Sequence, residues 1–347
     1  MRRHLHLPSA CAITTLCAGA CTLVPNPYHQ AESDTETAGE TGLADTSAED
    51  TTESGTESST DTETESGSDS ETDTSTETGD PICGDEPCPP QNWLVTVDRP
   101  LFLGNRLIRV GLVEDELGVG QVICDALEVD AALPAAAEFV SLTFLGDRLL
   151  GITDNEVLVE IDPCACTATM ISPFEGEGGA NIQVLALSAE HTPEPGRLLG
   201  VSLSEGNVSV VDIDPATAQT QTTAWLGIEW GSAGLSWHLP SSQLAYVIDA
   251  KDSLMLSFTG DNNQVVDNLV LDASFDTDTG VGMTYHPDLD AVLLCGVLGS
   301  NAGLYAIDLE SGAVVLGADM VVDGEDSVDC KNLAAPSRPI ACISDDL

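Results

Sequence analysis

The chain has 347 residues, with 58 Asp and Glu against 10 Lys and Arg, a formal net charge of −48, and 11 cysteines. So acidic a balance excludes electrostatic attachment to nucleic acid or to anionic lipid, both of which need a basic face. What remains for the charge to serve is solubility first, then divalent cations, basic peptides or saline surroundings.

Residues 1–21 read as an export signal. Arg2 and Arg3 supply the positive start, and residues 11–21 are small and apolar with no acid, in a run too short to remain as a membrane span. The run ends Ala18-Gly19-Ala20-Cys21, similar to a permissive bacterial lipobox in which Cys21 would receive lipid; Ala18-x-Ala20 is equally a plain signal-peptidase site. Residues 22–82 follow as a tether. Between 32 and 80 there are 17 Asp and Glu, no Lys or Arg, and little besides Thr, Ser and Gly. Such a stretch cannot bury enough apolar surface to offset its chain entropy, so disorder is expected, with a contour on the order of 150 Å at ~3.3 Å per residue. Residues 81–347 keep 41 acids against eight Lys and Arg, an excess of 33 negative charges.

The domain, 83–347, is read from a repeated phrase: V-L-V-E-I-D-P at 157–163, V-S-V-V-D-I-D-P at 208–215, L-Y-A-I-D-L at 304–309, and a degenerate L-M-L-S-F at 254–258. Ile161, Ile213, Phe258 and Ile307 thus stand 52, 45 and 49 residues apart, the period of β-propeller blades. In chain order, strands are expected at 106–112 and 121–127. Four-stranded units follow at 140–172, 182–227, 234–271 and 281–318, and two closing strands at 330–334 and 339–344. The opening and closing strands would complete one another and leave no exposed sheet edge at the joint. The fold class is therefore all-β, a propeller of about five four-stranded blades, or six if 92–97 and 101–103 begin another. An open β-sandwich is the alternative.

Outside the signal and Cys21, eight cysteines remain, as suits an oxidising compartment. Cys330 and Cys342 flank a Pro-rich turn and would face each other on a hairpin; Cys83 and Cys88 would close a small loop before the domain. Cys164 and Cys166 lack partners at metal-ligand spacing and read as disulfide or free thiol. His191, His238 and His286 occupy matching turns of their repeats, far apart on a rim, so no histidine-assisted nucleophile and no catalytic residue is assigned.

The connections from one blade's last strand to the next blade's first strand carry Glu175 and Glu177, then Glu229 with Trp230, then Asp276 and Asp278, then Asp323, Glu325 and Asp326. If these gather at the channel mouth they form a cation or ligand face. Asp276 to Gly280, D-T-D-T-G, opens like a calcium loop without completing one, so Ca2+ is the sole cofactor considered. Trp230 could stack on a sugar or anchor a partner, and Trp237 reads as packing.

The turn-and-strand phrases W-H-L-P-S-S-Q-L-A-Y-V-I-D at 237–249 and Y-H-P-D-L-D-A-V-L-L at 285–294 resemble the bacterial extracytoplasmic β-propellers of the WD-like, TolB-like and YVTN-type repeats. The layout, an acidic Thr-Glu tether ending in C-G-D, resembles surface lipoproteins of myxobacteria. That resemblance implies an exported, monomeric propeller, anchored at the outer membrane or cell surface, periplasmic or secreted, that touches a membrane through lipid alone. The expected role is a binding module for an extracellular protein, peptide or glycan. A metal-dependent lactonase-type or lyase-type enzyme and a purely structural envelope protein are the rival readings.

Overall fold

The computed structural model describes residues 90–343 except 101–103, 135–136, 191–195, 205, 229–231, 239–243, 260–263, 277–279, 299–300, 323–325, 329 and 341. The export signal with Cys21, the tether and the Cys83–Cys88 loop lie outside the described residues, as do Glu229, Trp230, Asp278, Asp323 and Glu325.

Every regular element among the described residues is a strand, and the strands form five sheets. Blade 1 contains β1 (Trp93–Asp98), β2 (Arg106–Gly111) and β3 (Val119–Cys124). A two-residue strand β4 (Glu128–Val129) leads to blade 2, which is β5 (Phe139–Leu145), β6 (Arg148–Thr153), β7 (Val157–Asp162) and β8 (Thr167–Pro173). Blade 3 is β9 (Gln183–Ala189), β10 (Leu198–Ser204), β11 (Asn207–Ile213) and β12 (Thr220–Ile228). Blade 4 is β13 (Ala233–His238), β14 (Leu244–Asp249), β15 (Leu254–Thr259) and β16 (Val265–Val270). Blade 5 is β17 (Gly282–His286), β18 (Ala291–Leu298), β19 (Asn301–Ile307) and β20 (Val314–Asp319). Two short strands, β21 (Val321–Val322) and β22 (Asp326–Ser327), then lie on the outer edge of blade 1 beyond β3.

Blades 2 to 5 are each an antiparallel meander of four strands, and the repeated phrase falls on the third, where Ile161, Ile213, Phe258 and Ile307 are all buried. The count is five. The strand at 92–97 that could have opened a sixth blade pairs with β2 in register Trp93↔Gly111 through Asp98↔Arg106, inside blade 1.

Blade 1 opens with three strands, and its innermost place is filled by a segment from the far end of the chain that joins it through a single β-bridge. Val95 and Ala334 exchange both backbone hydrogen bonds, at 2.9 and 3.0 Å, which places residues 332–335 on the axial side of β1. The four inner strands and the closing segment carry a related triplet: Ser141-Leu142-Thr143, Ala186-Leu187-Ser188, Gly234-Leu235-Ser236, Gly282-Met283-Thr284 and, in the segment, Asn332-Leu333-Ala334. In three of the five the third residue has a visible task. The Ala189 N–H donates to Thr143 Oγ1 (3.1 Å), Trp237 N–H to Ser188 Oγ (2.9 Å) and Ala335 N–H to Thr284 Oγ1 (3.2 Å), so these three hydroxyls each satisfy a backbone donor of the next blade, whereas Ser236 Oγ has no hydrogen-bond partner among the described residues and Ala334 has no hydroxyl. Buried donors without partners are costly, and the ring stitches itself together by supplying them.

The closure differs from the expected pair of strands. Residues 339–343 contain no described strand, and Cys330 and Cys342 do not bond each other. Because 330–335 threads between blades rather than folding back as a hairpin, its partners are distant in sequence: Cys330 joins Cys295 of β18, and Cys342 joins Cys164 in the β7–β8 turn. A third bridge, Cys124–Cys166, ties the end of β3 to that same turn. Disulfides of this kind form and persist in an oxidising, extracytoplasmic compartment.

Candidate functional site

The inner strands begin around one mouth of the axial channel. There a cavity of about 370 Å³ is lined by Glu138 and Val140 of blade 2, Gln183 and Leu185 of blade 3, Ser232 and Ala233 of blade 4, Gly280 and Val281 of blade 5, and Lys331 of the closing segment. The β6–β7 turn adds Thr153, Asp154 and Glu156. All five sectors of the ring therefore contribute, as the axial symmetry of a propeller requires.

Glu138 is the crossing point of the charges. Its two carboxylate oxygens face Arg99 Nη1 and Lys331 Nζ, each at 3.4 Å, while its backbone N–H donates to Asp154 Oδ1 at 3.0 Å. The turn beside it is tight: Glu156 N–H donates to Thr153 O at 2.9 Å, and Glu156 holds φ at 62°, the left-handed region that costs a side-chain-bearing residue energy. Gly280, at φ 82°, brings Ser232 and Lys331 close, since a Cβ there would lie 3.6 Å from Lys331 and 3.8 Å from Ser232 Oγ. Thr153 is 1% exposed, and its Oγ1 has no hydrogen-bond partner.

The four described acids among those expected at this mouth, Glu175, Glu177, Asp276 and Asp326, are elsewhere. Glu175 lies against the β11–β12 turn of blade 3: its backbone pairs with Ala218 and Thr220, and its Oε2 accepts from Gln219 Nε2 at 2.8 Å. Glu177 is exposed in a turn next to Gly178 and Gly179. Asp276 is exposed, with its N–H on Val297 O of blade 5, and Asp326 sits on β22, the outermost strand of blade 1. The described parts of the connections after β8 and β16 run along the neighbouring blade's outer hairpin, Glu175 against Ala218 and Thr220 and Asp272 against Gly312 and Val314, so Glu175 lies at the periphery and not at the axis. Among the described residues no group of three or more His, Cys, Asp or Glu is placed to hold a metal ion. The acids that do reach the mouth come from the residue before β5 and from the T-D-N-E turn at 153–156, legible as a turn but not as a rim.

At the opposite end of the inner strands, His238 and His286 close β13 and β17 rather than sitting in distant rim turns. His238 packs edge-on to Tyr285 at 4.7 Å and to Tyr246 at 5.6 Å, and Tyr285 OH donates to Asp290 Oδ1 at 3.0 Å. Burial, then the Asp290 contact, drives the Tyr285 hydroxyl far above the ordinary tyrosine range, so it stays protonated. His286 is fully buried with Nε2 3.3 Å from Trp93 O, and burial lowers its pKa; burial likewise lowers that of His238. These groups are neutral packing partners. Trp237 is packing too, 3% exposed beneath the Arg197 guanidinium.

No protein-family model matches the sequence, and no curated protein matches it. Solved structures with similar folds include TolB from Acinetobacter baumannii (16% identity, 67% of this chain and 54% of that one, TM-score 0.43) and a gluconolactonase from Xanthomonas campestris (14%, 70% and 86%, 0.42). A glutaminyl cyclase from Myxococcus xanthus is similar at 14% identity over 58% of this chain and 72% of that one, TM-score 0.36. This chain thus spans about half the length of the TolB chain. Likenesses this distant do not bear on activity, ligand or partner; the propeller assignment rests on the strand pairing itself.

Proposed function

We propose that this protein is an exported, surface-tethered binding module that meets its ligand, a peptide, protein or glycan outside the cytoplasm, at the channel mouth around Glu138, Thr153, Asp154, Glu156 and Lys331. The observation that carries this reading is the cavity of about 370 Å³ with a polar lining drawn from every blade, a size typical of ligand sites. The described lining offers carboxylates, an ammonium, an amide and hydroxyls, which recognise a ligand, and no histidine or thiol beside them. Export follows from the disulfides, and the tether to the surface from Cys21 as the lipid acceptor with the acidic segment as spacer.

The test is capture from the extracellular medium and envelope of the producing cell, comparing the native protein with a variant in which Asp154 and Glu156 are changed to Asn and Gln. A partner lost with that pair of changes supports the channel mouth; a partner retained at full yield moves recognition to another face. For the anchor, a Cys21→Ser variant should leave the membrane fraction, and unchanged fractionation rejects lipidation.

A further inference from the structure

Resting on the channel mouth as the recognition site, we infer that the group it recognises is a primary ammonium, carried by a lysine side chain of a peptide or by a free polyamine. Three of the described lining side chains are acids, Glu138, Asp154 and Glu156, against one base, Lys331. The local cations are already committed to one of those acids, with Arg99 and Lys331 on opposite oxygens of Glu138. Asp154 and Glu156 are left without a counter-charge, and the Glu156 carboxylate makes no hydrogen bond or ion pair among the described residues while being half-buried.

A second, independent observation points to a ligand. Thr153 lines the same cavity, is 1% exposed, and leaves its Oγ1 unsatisfied. A buried hydroxyl with nothing to bond costs free energy that a bound donor would recover. Hydroxyl and carboxylates belong to one turn, closed by the Glu156 N–H to Thr153 O hydrogen bond of 2.9 Å. An ammonium offers three N–H donors and no acceptor, matching a turn that holds two carboxylates without a counter-charge and a hydroxyl without a partner among the described residues. A divalent metal ion is disfavoured because it takes six or more converging oxygens, and the described residues hold no cluster of even three candidate ligands. An anion would face two uncompensated carboxylates inside a domain carrying 33 excess negative charges, whereas that same field concentrates cations at the mouth.

Isothermal titration of the purified full chain with Nα-acetyl-lysine amide, its Nε-acetylated neutral counterpart, spermidine, glutarate and calcium chloride tests this. Saturable binding of the two amines and none of the neutral counterpart is expected. Thr153→Val and Glu156→Gln should each weaken amine binding about tenfold or more, and Lys331→Met should tighten it by removing the competing ammonium and releasing Glu138. Glu156→Gln is half-buried on a turn and keeps the test valid should Thr153→Val disturb folding. The stronger of the two amines assigns the source, a free polyamine or a lysine side chain of a peptide. Binding of glutarate that Lys331→Met weakens, or of calcium in place of the amines, overturns the ammonium proposal and leaves the channel-mouth reading standing. Amine binding indifferent to both Thr153→Val and Glu156→Gln overturns the two together. No heat with either amine overturns the ammonium proposal alone, the mouth being judged separately by partner capture.

Discussion

Asn332 shows how one side chain can hold a ring shut. Its amide donates to Val97 O at 3.0 Å and Phe139 O at 2.9 Å, and its Oδ1 accepts from Val97 N–H at 2.8 Å and Thr96 Oγ1 at 3.2 Å. Blades 1 and 2 are thereby joined through a residue 1% exposed. Asn332→Ala strands several buried backbone and hydroxyl groups at once, each costing about 1–3 kcal/mol, so a loss of about 3 kcal/mol or more is expected in urea unfolding. A change below 1 kcal/mol would remove Asn332 from this role. His286 supplies a pH signature. With its folded pKa below the unfolded value near 6.5, the neutral form favours folding; that contribution is complete above the unfolded pKa and fades as pH falls below it. Thermal melts of wild type and His286→Gln should therefore diverge most at pH 7.5 and converge towards pH 5, whatever the acidic surface does to both. A constant gap across that range would show that His286 does not titrate with unfolding.

At the scale of the strand, close approach at the axis governs which residues are tolerated. A Cβ on Gly282 would fall 2.7 Å from the Asn332 backbone, and one on Gly234 would fall 2.8 Å from Met283 Cβ. Backbone cannot yield as a flexible side chain can, so Gly282→Ala is expected to destabilise by about 1–3 kcal/mol, the usual cost of overpacking, read as a lowered urea midpoint with unchanged slope. The outer strands behave oppositely: Val265, Val266 and Val270 of β16 and Val315 and Leu316 of β20 are all more than half exposed. These outer strands lean on the core through few residues, Leu269 of β16 and Val314 of β20 among them, and so their inward-outward pattern is weaker than that of the strands inside. The third strands, buried on both faces, repeat most faithfully, which is why the phrase around Ile161, Ile213, Phe258 and Ile307 was readable. The inner triplet also recurs, yet in small and hydroxyl residues, three of which (Thr143, Ser188 and Thr284) accept a hydrogen bond from the next blade, and hydropathy does not register it.

For the whole molecule the vulnerable place is the joint where the two ends of the domain meet. All three described disulfides cluster there: Cys295–Cys330 and Cys164–Cys342 bolt the closing segment on either side, and Cys124–Cys166 fastens blade 1 to blade 2. The Cys164–Cys342 bridge spans 178 residues, so by loop-closure reasoning its removal should cost about 2–5 kcal/mol. The double variant Cys164→Ser, Cys342→Ser should melt several degrees lower while keeping its strand content by circular dichroism. An unchanged midpoint would mean that the inner hydrogen bonds alone hold the joint.

The sequence by itself determined the all-β class, the four complete units, the blade period and the supply of cysteines for an oxidising compartment. These follow from local alternation and from a repeat, both properties of neighbouring residues. Tertiary structure decided what depends on partners far along the chain. It chose five blades over six by pairing β1 with β2, paired Cys330 with Cys295 and Cys342 with Cys164 instead of with each other, and sent Glu175 and Asp326 to the periphery. It also brought Glu138, Thr153, Glu156 and Lys331 to one cavity. Closing a ring sets residues nearly 200 positions apart side by side, and no local pattern encodes which acids then face the axis and which face water.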